Sequence, residues 1–236
     1  MNSNLFVILG AEGSGRAALL GSLIEADSRV LVHVEEKESI LKAKGLEESL
    51  IPWKWIDGRI AIGGDIPPSS ELFFLTHGRQ SPVDQVEGIR DWMDHNPVEL
   101  ARILTVVNCR LLLENEKLRG WYDACIHFSD GVLLGGRQDV PNRWIDDFIE
   151  SHQKQNYPCL FRYVKKDRIE RPSEVLIPEA RRISLAFEDP EDAWDEQGNR
   201  IEEPYFVRDA AGRRTKWVPE ITDFIESGNR QSAIGN

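Results

Sequence analysis

The sequence predicts an α/β protein with a mostly parallel sheet between two layers of helices, a three-layer α/β/α sandwich. Short, continuous apolar runs recur through the first two thirds of the chain, and apolar residues at helical spacing separate them. Such runs are typical of strands that are buried on both faces, and the alternation with helices favours parallel strands joined by crossovers. A change of composition after residue 165 predicts a separate C-terminal part.

The predicted strands are the most apolar parts of the chain. Val, Leu, Ile and Phe dominate them, as expected for buried strands. They cover residues 5–9, 29–34, 72–76, 103–107, 131–135 and 159–164. The pair Asp57-Gly58 predicts, in addition, a small β-ribbon with strands 53–56 and 59–62, because glycine tolerates the positive φ of a two-residue turn.

Apolar residues spaced by three and four predict the helices between these strands. In the helix predicted over 16–26, Leu19, Leu20, Leu23 and Ile24 share one face. Further helices are predicted over 83–94, up to about residue 128, and over 142–155. The charged segment 35–50 fits either a helix or a mobile loop.

Beyond residue 165, Pro, Arg, Glu and Asp replace the long apolar runs. Alternating residues over 182–187 and 205–207 predict strands, and Gly198 and Gly212 mark turns between them. We therefore predict a domain of residues 1–165 and a small β-rich C-terminal appendage of residues 166–236, whose last residues fray.

Composition limits the classes of partner. A formal net charge of -11 argues against a broad electrostatic contact with nucleic acid or an anionic membrane. No uncharged apolar run approaches the length of a membrane span, so we expect a cytoplasmic protein with neither kind of partner. Cys109, Cys125 and Cys159 are widely spaced in apolar surroundings, which predicts reduced, buried thiols.

The turn after the first predicted strand has the glycine spacing of a phosphate-binding loop. A working P-loop is G-x-x-x-x-G-K-[ST], in which backbone N–H groups cradle phosphates, lysine reaches the outer phosphates and the hydroxyl binds magnesium. Here arginine stands at the lysine position and alanine at the hydroxyl position, so the cradle lacks its magnesium ligand. The candidate nucleotide-binding residues are Gly10, Gly13, Ser14, Gly15, Arg16 and Ala17.

Further landmarks resemble the CobW-type metallochaperone GTPases, the P-loop class that includes the nickel-delivery GTPases of hydrogenase and urease maturation. The resemblance spans roughly residues 4–165 and begins with the P-loop itself. Thr76-His77-Gly78, followed by Pro82, resembles the family's Glu-Thr-x-Gly…Pro segment after the third strand. The run 129–134 resembles its Ala-Asp-x-x-x-Leu approach to the guanine-reading Asn-Lys-x-Asp motif. The resemblance implies GTP or another nucleotide as cofactor, with Gly78 and Asp139 as further contacts.

Each landmark departs from the family at the residue that carries the chemistry. Arg59, Ala61 and Ile62 stand where the metal motif Gly-Cys-x-Cys-Cys has thiolates. Leu75 stands where the Walker B glutamate would be, and the run 135–139 replaces the guanine reader, leaving Asp139 at best in a similar role. The resemblance therefore implies a degenerate member with little or no hydrolysis and a protein partner, and it argues against magnesium binding.

Two interpretations of the loop stay open. Arg16 could bind a phosphate bidentately, or the glycines could form only a tight turn with Arg16 in solvent. Glu12, inside the loop, favours the second. His77 is predicted to be a loop histidine and His33 a structural one. Trp53 and Trp55 share a face of the predicted ribbon and are candidates for a partner interface.

A Rossmann-type NAD(P)-binding oxidoreductase is the alternative function. Gly10-x-x-Gly13-x-Gly15 follows a strand, and Glu35 lies at the end of the second strand, where a ribose-binding acid is expected. The glycine order is the reverse of G-x-G-x-x-G, however. Strand order separates the two classes, because a P-loop GTPase has its third strand beside the first and a Rossmann sheet has its second there. An active NTPase using arginine for lysine is least favoured, since the planar guanidinium needs more room.

Overall fold

The computed structural model describes residues 3–25, 27–37, 49–63, 65–66, 71–166, 168–188, 194, 197–199, 201–222 and 224–225. Within these residues the chain forms one nine-stranded sheet with helices on both faces. The strands are β1 (Ser3–Gly10), β2 (Arg29–His33), β3 (Leu50–Ile56), β4 (Arg59–Ile62), β5 (Glu71–Leu75), β6 (Val98–Asn108), β7 (Gly131–Gly135), β8 (Leu160–Lys165) and β9 (Arg168–Ile169). Every predicted buried strand and the predicted ribbon are confirmed, within a few residues at their ends.

The helices of the first 165 residues begin and end close to the predicted positions, with one exception, whereas the short helix Pro172–Leu176 was not predicted. They are α1 (Arg16–Leu20), α2 (Pro82–Met93), α3 (Cys109–Glu114), α4 (Arg119–His127), α5 (Asn142–Gln153) and α6 (Pro172–Leu176), with a 3₁₀ turn at Glu116–Leu118. The prediction of a helix over 16–26 was too long. Gly21 caps α1, and the Ser22 hydroxyl donates to the carbonyl of Leu19, which competes with continuation of the helix.

The strand order is β4-β3-β2-β5-β1-β6-β7-β8-β9. β1 pairs in parallel with β5 and β6, whereas β3–β4 and β8–β9 are antiparallel pairs. β5, the third of the predicted buried strands, therefore lies between β1 and β2. This is the P-loop NTPase-like order, and it does not favour the Rossmann alternative, in which β2 would adjoin β1.

The core divides into two layers because alternate residues of a strand point to opposite faces. On one face Leu5 and Val7 of β1 pack with buried residues of α2, α4 and α5. On the other face Phe6 and Ile8 pack with residues of α1 and α6. The three-layer α/β/α sandwich predicted from the sequence is thereby confirmed.

The β3–β4 hairpin extends the main sheet, because β3 pairs in parallel with β2. Trp53 is fully buried, and the Nε1 atom of Trp55 donates to Gln80. A Cβ on Gly88 of α2 would lie 2.4 Å from the Trp55 ring, so this ring packs directly on the helix. The interpretation of Trp53 as part of an exposed interface was therefore wrong, whereas Trp55 is half-buried and its role at an interface stays a prediction.

The C-terminal part is less regular than predicted. In the described residues of 182–187 and 205–207 the backbone forms no strand, so the strand predictions there were wrong. Beyond β9 and α6 an isolated bridge joins Arg208 and Arg214. Backbone groups here bond to the first part instead: the Ser184 N–H donates to the carbonyl of His127. Tyr205 and Ile221 join the core.

The structure also tests the sequence predictions about turns, cysteines and membrane-spanning helices. The turns at Gly198 and Gly212 are confirmed, with φ of 79° and 77°. The three cysteines are free and buried, as predicted. None of the helices in the described ranges has the length and hydropathy needed to span a bilayer. Most of the segment 35–50 and the predicted frayed end after residue 226 lie outside the described residues, and the division at residue 165 stays a prediction.

Candidate functional site

The glycine-rich loop lies at the carboxyl end of β1, between β5 and β6. Gly10, Gly13 and Gly15 have φ values of 142°, 75° and 86°, which residues other than glycine rarely adopt. At Gly10 a Cβ would also lie 2.6 Å from the carbonyl oxygen of Val106. The backbone therefore favours glycine at the two positions that the motif specifies, Gly10 and Gly15, and also at Gly13 between them.

A second segment, residues 76–80 after β5, packs against this loop because β1 and β5 are neighbouring parallel strands. The Glu12 N–H donates to the carbonyl of Gly78 at 3.1 Å, and the Glu12 carboxylate pairs with Arg79. A Cβ on Gly78 would lie 2.3 Å from both Glu12 N and Arg16 Nη2. Only glycine fits at residue 78.

Arg16 is buried and bonded to the protein itself. Its Nη1 donates to the carbonyl of Thr76 at 2.5 Å, and its Nη2 donates to Glu36 Oε1 at 2.9 Å. The side chains of Arg16 and Glu36 are each 5% exposed. The expectation of an arginine in solvent was therefore wrong, and both outer nitrogens of the guanidinium have protein partners.

The carboxylate of Glu36 accepts a second hydrogen bond at the same oxygen. The Gly78 N–H donates to Oε1 at 2.9 Å. Arg16, at the lysine position of the loop, and the backbone amide of Gly78 therefore share one carboxylate oxygen. In a working P-loop the lysine is directed at the outer phosphates. A carboxylate of the chain takes that interaction here.

The residues beside the loop do not fit a magnesium ion in the usual place. Magnesium requires oxygen ligands in near-octahedral geometry. Ala17 and Leu75 have no side-chain oxygen, and the Thr76 hydroxyl donates to the carbonyl of Ile8 at 3.0 Å. Ser14 Oγ is buried and has no hydrogen-bond partner in the described part of the chain. A single hydroxyl does not make a magnesium site.

The segment after β7 begins beside the loop and then turns away. A Cβ on Gly135 would lie 3.8 Å from the carbonyl oxygen of Ser14. The Arg137 guanidinium lies 4.2 Å from the centre of the Tyr163 ring, a cation–π contact. Asp139 is exposed, with a φ of 63°, and makes no contact with the glycine loop that the described residues record.

Two histidines and a glutamate meet at the neighbouring strand ends, a grouping that the sequence analysis missed. One ligand atom from each of His33, Glu35 and His77 lies within 4.8 Å of the other two. The His33 and His77 rings are 4.4 Å apart between centroids, and His77 Nε2 lies 3.3 Å from Glu35 Oε2. The signal was present as His-x-Glu after one strand and Thr-His-Gly after another, but only the strand order brings them together.

The electrostatics of this grouping keep its imidazoles neutral. Burial lowers the pKa of His77, with Glu36 and Glu35 opposing that shift. Burial also lowers the pKa of His33, and the neighbouring His77 adds to the effect. Neutral imidazole is the form that binds metal ions.

The position of the family's cysteine motif falls on β4. Arg59 to Ile62 pair with β3 in an antiparallel register, and their side chains supply no thiolate. The three cysteines of the chain lie elsewhere in the core. The metal site that the family resemblance would place here is therefore missing.

Comparisons with solved structures return one kind of protein, a bacterial GTPase. The zinc-bound YjiA GTPase from E. coli aligns with 96% of this chain and 70% of its own, at a TM-score of 0.45 and 12% identity. A zinc-bound triple mutant of the YjiA GTPase aligns at a TM-score of 0.45 and 13% identity over 75% of this chain. The present chain spans 62% of that mutant's length. No family model and no curated protein sequence matches the chain.

Proposed function

We propose that this protein is a degenerate CobW-like P-loop GTPase homologue that has lost efficient hydrolysis and acts by binding a protein partner. The observation that carries the proposal is the shared carboxylate of Glu36. Arg16 Nη2 and the Gly78 N–H both donate to its Oε1 atom at 2.9 Å. The chain thus supplies its own anion to groups that would otherwise face an outer phosphate.

Charge makes this arrangement incompatible with tight triphosphate binding. An outer phosphate beside Arg16 would face the buried Glu36 carboxylate, and two like charges about 4 Å apart repel by roughly 4 kcal/mol at an effective dielectric of about 20. Each 1.4 kcal/mol corresponds to about tenfold in affinity. GTP, or another nucleotide, therefore binds this loop weakly unless Glu36 leaves it.

Hydrolysis meets a second obstacle. Transfer of the outer phosphoryl group depends on magnesium to neutralise the charge that develops between the phosphates. The positions of Ala17 and Leu75 provide neither the hydroxyl nor the carboxylate that hold magnesium in the active members of the P-loop class. We therefore assign the protein no efficient NTPase activity.

The exposed surface supports a binding role. Trp217 is 79% exposed, and tryptophan is enriched among the residues that contribute most to protein interfaces. With turnover absent, recognition of a protein partner is the function that such a fold retains. The net charge of -11 makes nucleic acid an unfavourable partner.

Calorimetric titration tests the proposal directly. GTP, GDP, ATP, NAD and NADP are titrated with and without magnesium into the natural protein and into Glu36→Gln, whose amide can still accept both hydrogen bonds without the charge. We expect weak, magnesium-independent GTP binding in the natural protein and a gain of at least about tenfold in Glu36→Gln. Glu114→Gln, at an exposed ion pair with Arg110, is the matched control. Circular dichroism checks that each variant is folded.

Two outcomes would overturn the assignment. Magnesium-dependent GTP hydrolysis by the natural protein, abolished by Gly15→Asp, would show a working enzyme. Binding of NAD or NADP alone would instead support the Rossmann alternative.

A further inference from the structure

The ends of β2 and β5 bring together residues that lie far apart in the sequence. These strands are parallel neighbours, with Val32 opposite Leu75. Because parallel strands end at the same edge of the sheet, His33 and Glu35 at the end of β2 meet His77 after β5. Their three ligand atoms lie within 4.8 Å of one another.

We propose that His33, Glu35 and His77 bind a divalent transition-metal ion, with Zn²⁺ the best match to the donor set. Two imidazoles and one carboxylate form a common three-ligand zinc set that leaves a fourth position open. Tetrahedral zinc with bonds of about 2.0–2.1 Å places its donor atoms roughly 3.3 Å apart. His77 Nε2 and Glu35 Oε2 already lie 3.3 Å apart.

The His77 ring is buried and presents its Nε2 atom to the grouping. His77 is 5% exposed, and Nε2 is the ring atom that faces Glu35 Oε2, at 3.3 Å. The Nδ1 atom, on the other side of the ring, is buried without a hydrogen-bond partner in the described ranges. Nε2 is therefore the atom of this ring that binds the ion in the proposed site.

The two histidines are rigidly placed, and the carboxylate can adjust. Gln85 holds the His77 backbone from both sides, accepting from its N–H at 2.6 Å and donating to its carbonyl at 3.0 Å. The Trp53 ring packs edge-on against His33, with centroids 4.7 Å apart. Glu35 is 70% exposed, so its side chain can close on an ion. Ligands positioned in advance in this way bind with little ordering cost.

The surrounding charges favour a cation. Arg16 and Arg79 are the nearby positive side chains, and they pair with Glu36 and Glu12 respectively. The Glu35 carboxylate is left to interact with His77.

This site is distinct from the two sites that the family resemblance suggests. It uses none of the residues of β4, where the cysteine motif would lie. It also leaves the Arg16–Glu36 pair intact, so it does not depend on the state of the phosphate loop. The proposal stands or falls separately from the assignment of nucleotide binding.

Titration with metal ions alone tests the site. Zn²⁺ is titrated calorimetrically into the metal-free protein, and Co²⁺ binding is followed by its visible absorption. We expect one ion per chain, a tetrahedral Co²⁺ spectrum without the thiolate charge-transfer band, and shifts of the ring ¹⁵N resonances of His33 and His77. Glu35→Gln and His77→Asn should each weaken Zn²⁺ binding by at least about tenfold.

Matched controls separate the site from incidental zinc binding. His95→Asn removes an exposed histidine two residues after the end of α2, and Glu114→Gln removes an exposed carboxylate. Both variants should bind Zn²⁺ as the natural protein does. Because Glu35 is exposed, Glu35→Gln is expected to fold even if His77→Asn does not. Unchanged Zn²⁺ affinity in Glu35→Gln, a thiolate band, or no binding by the natural protein would each overturn the proposal.

Discussion

Arg16 Nη2 lies 2.9 Å from Glu36 Oε1, and both side chains are 5% exposed. Arg16 stands at the lysine position of the P-loop, and Glu36 lies three residues after the end of β2. A buried ion pair is costly to break by removing one partner, because the other charge is left without compensation. The pair therefore holds the Arg16 side chain against the segment after β5, where Thr76 and Gly78 also bond to it and to Glu36.

Removing either member of this pair should destabilise the protein strongly. We expect Arg16→Met and Glu36→Leu each to lower the free energy of unfolding by about 3–5 kcal/mol, because each leaves a buried charge unpaired. The double variant should recover most of that loss, since two apolar side chains leave no buried charge. Urea denaturation measures all three. Additive losses in the double variant would show that the two residues do not act as a pair.

A methyl group at residue 78 should separate the loop from the segment after β5. The Cβ of Gly78→Ala would lie 2.3 Å from Glu12 N, a backbone atom that cannot move without the loop. Overpacking of this kind costs about 1–3 kcal/mol. Gly63→Ala is the control, because its Cβ would lie 3.4 Å from Pro52, near ordinary contact. Equal thermal unfolding midpoints for the two variants would contradict the close approach.

The sequence predicted the sheet well because its strands are continuous apolar runs, which can be recognised without knowing which strands pair with each other. It also located the hairpin from Asp57-Gly58 and the loop from its glycines. It predicted strands 182–187 and 205–207 wrongly because alternation does not reveal whether a ladder partner exists. There the Ser184 N–H bonds to the carbonyl of His127, outside any strand.

The site was less predictable than the fold. Glu36 and Gly78 are 42 positions apart, and the contact between Arg16 and Glu36 spans 20 positions. Both contacts depend on β5 lying between β1 and β2, which no local pattern specifies. The same strand order joins His33 to His77, so the sequence analysis interpreted them separately, His33 as structural and His77 as a loop histidine.

The buried thiols should react slowly in the folded protein. Burial raises the pKa of Cys109 and of Cys159 to about 12, so little of the nucleophilic thiolate forms near pH 8. Cys125 is buried too, and its pKa is raised well above the ordinary value by burial. We expect a disulfide-exchange reagent at pH 8 to modify all three only in denaturant. Rapid modification of a folded sample, verified by mass spectrometry, would contradict this.

The C-terminal part should loosen in acid through Glu203. This carboxylate accepts hydrogen bonds from His127 at 2.8 Å, from the Ser184 hydroxyl at 2.6 Å and from the Tyr205 N–H at 3.2 Å. Burial alone would raise its pKa, but the contacts with His127, Ser184 and Tyr205 lower the pKa of Glu203 below its ordinary 4.5. Lys216 is a further charge near it, and the Tyr205 hydroxyl stays neutral because burial raises the pKa of that group.

The sign of the pH effect follows from that lowered pKa. Because the folded protein holds Glu203 ionised more strongly than the unfolded chain does, its contribution is complete above about pH 4.5 and is lost as the pH falls through the lower folded pKa. Glu203→Gln should therefore be less stable than the natural protein at pH 7, and the difference should shrink on acidification toward pH 3. Guanidine denaturation at a series of pH values measures it. Exposed Glu114→Gln provides the baseline. A difference that stays constant from pH 7 to pH 3 would show that the charge of Glu203 contributes nothing to holding Ser184 and Tyr205 against His127.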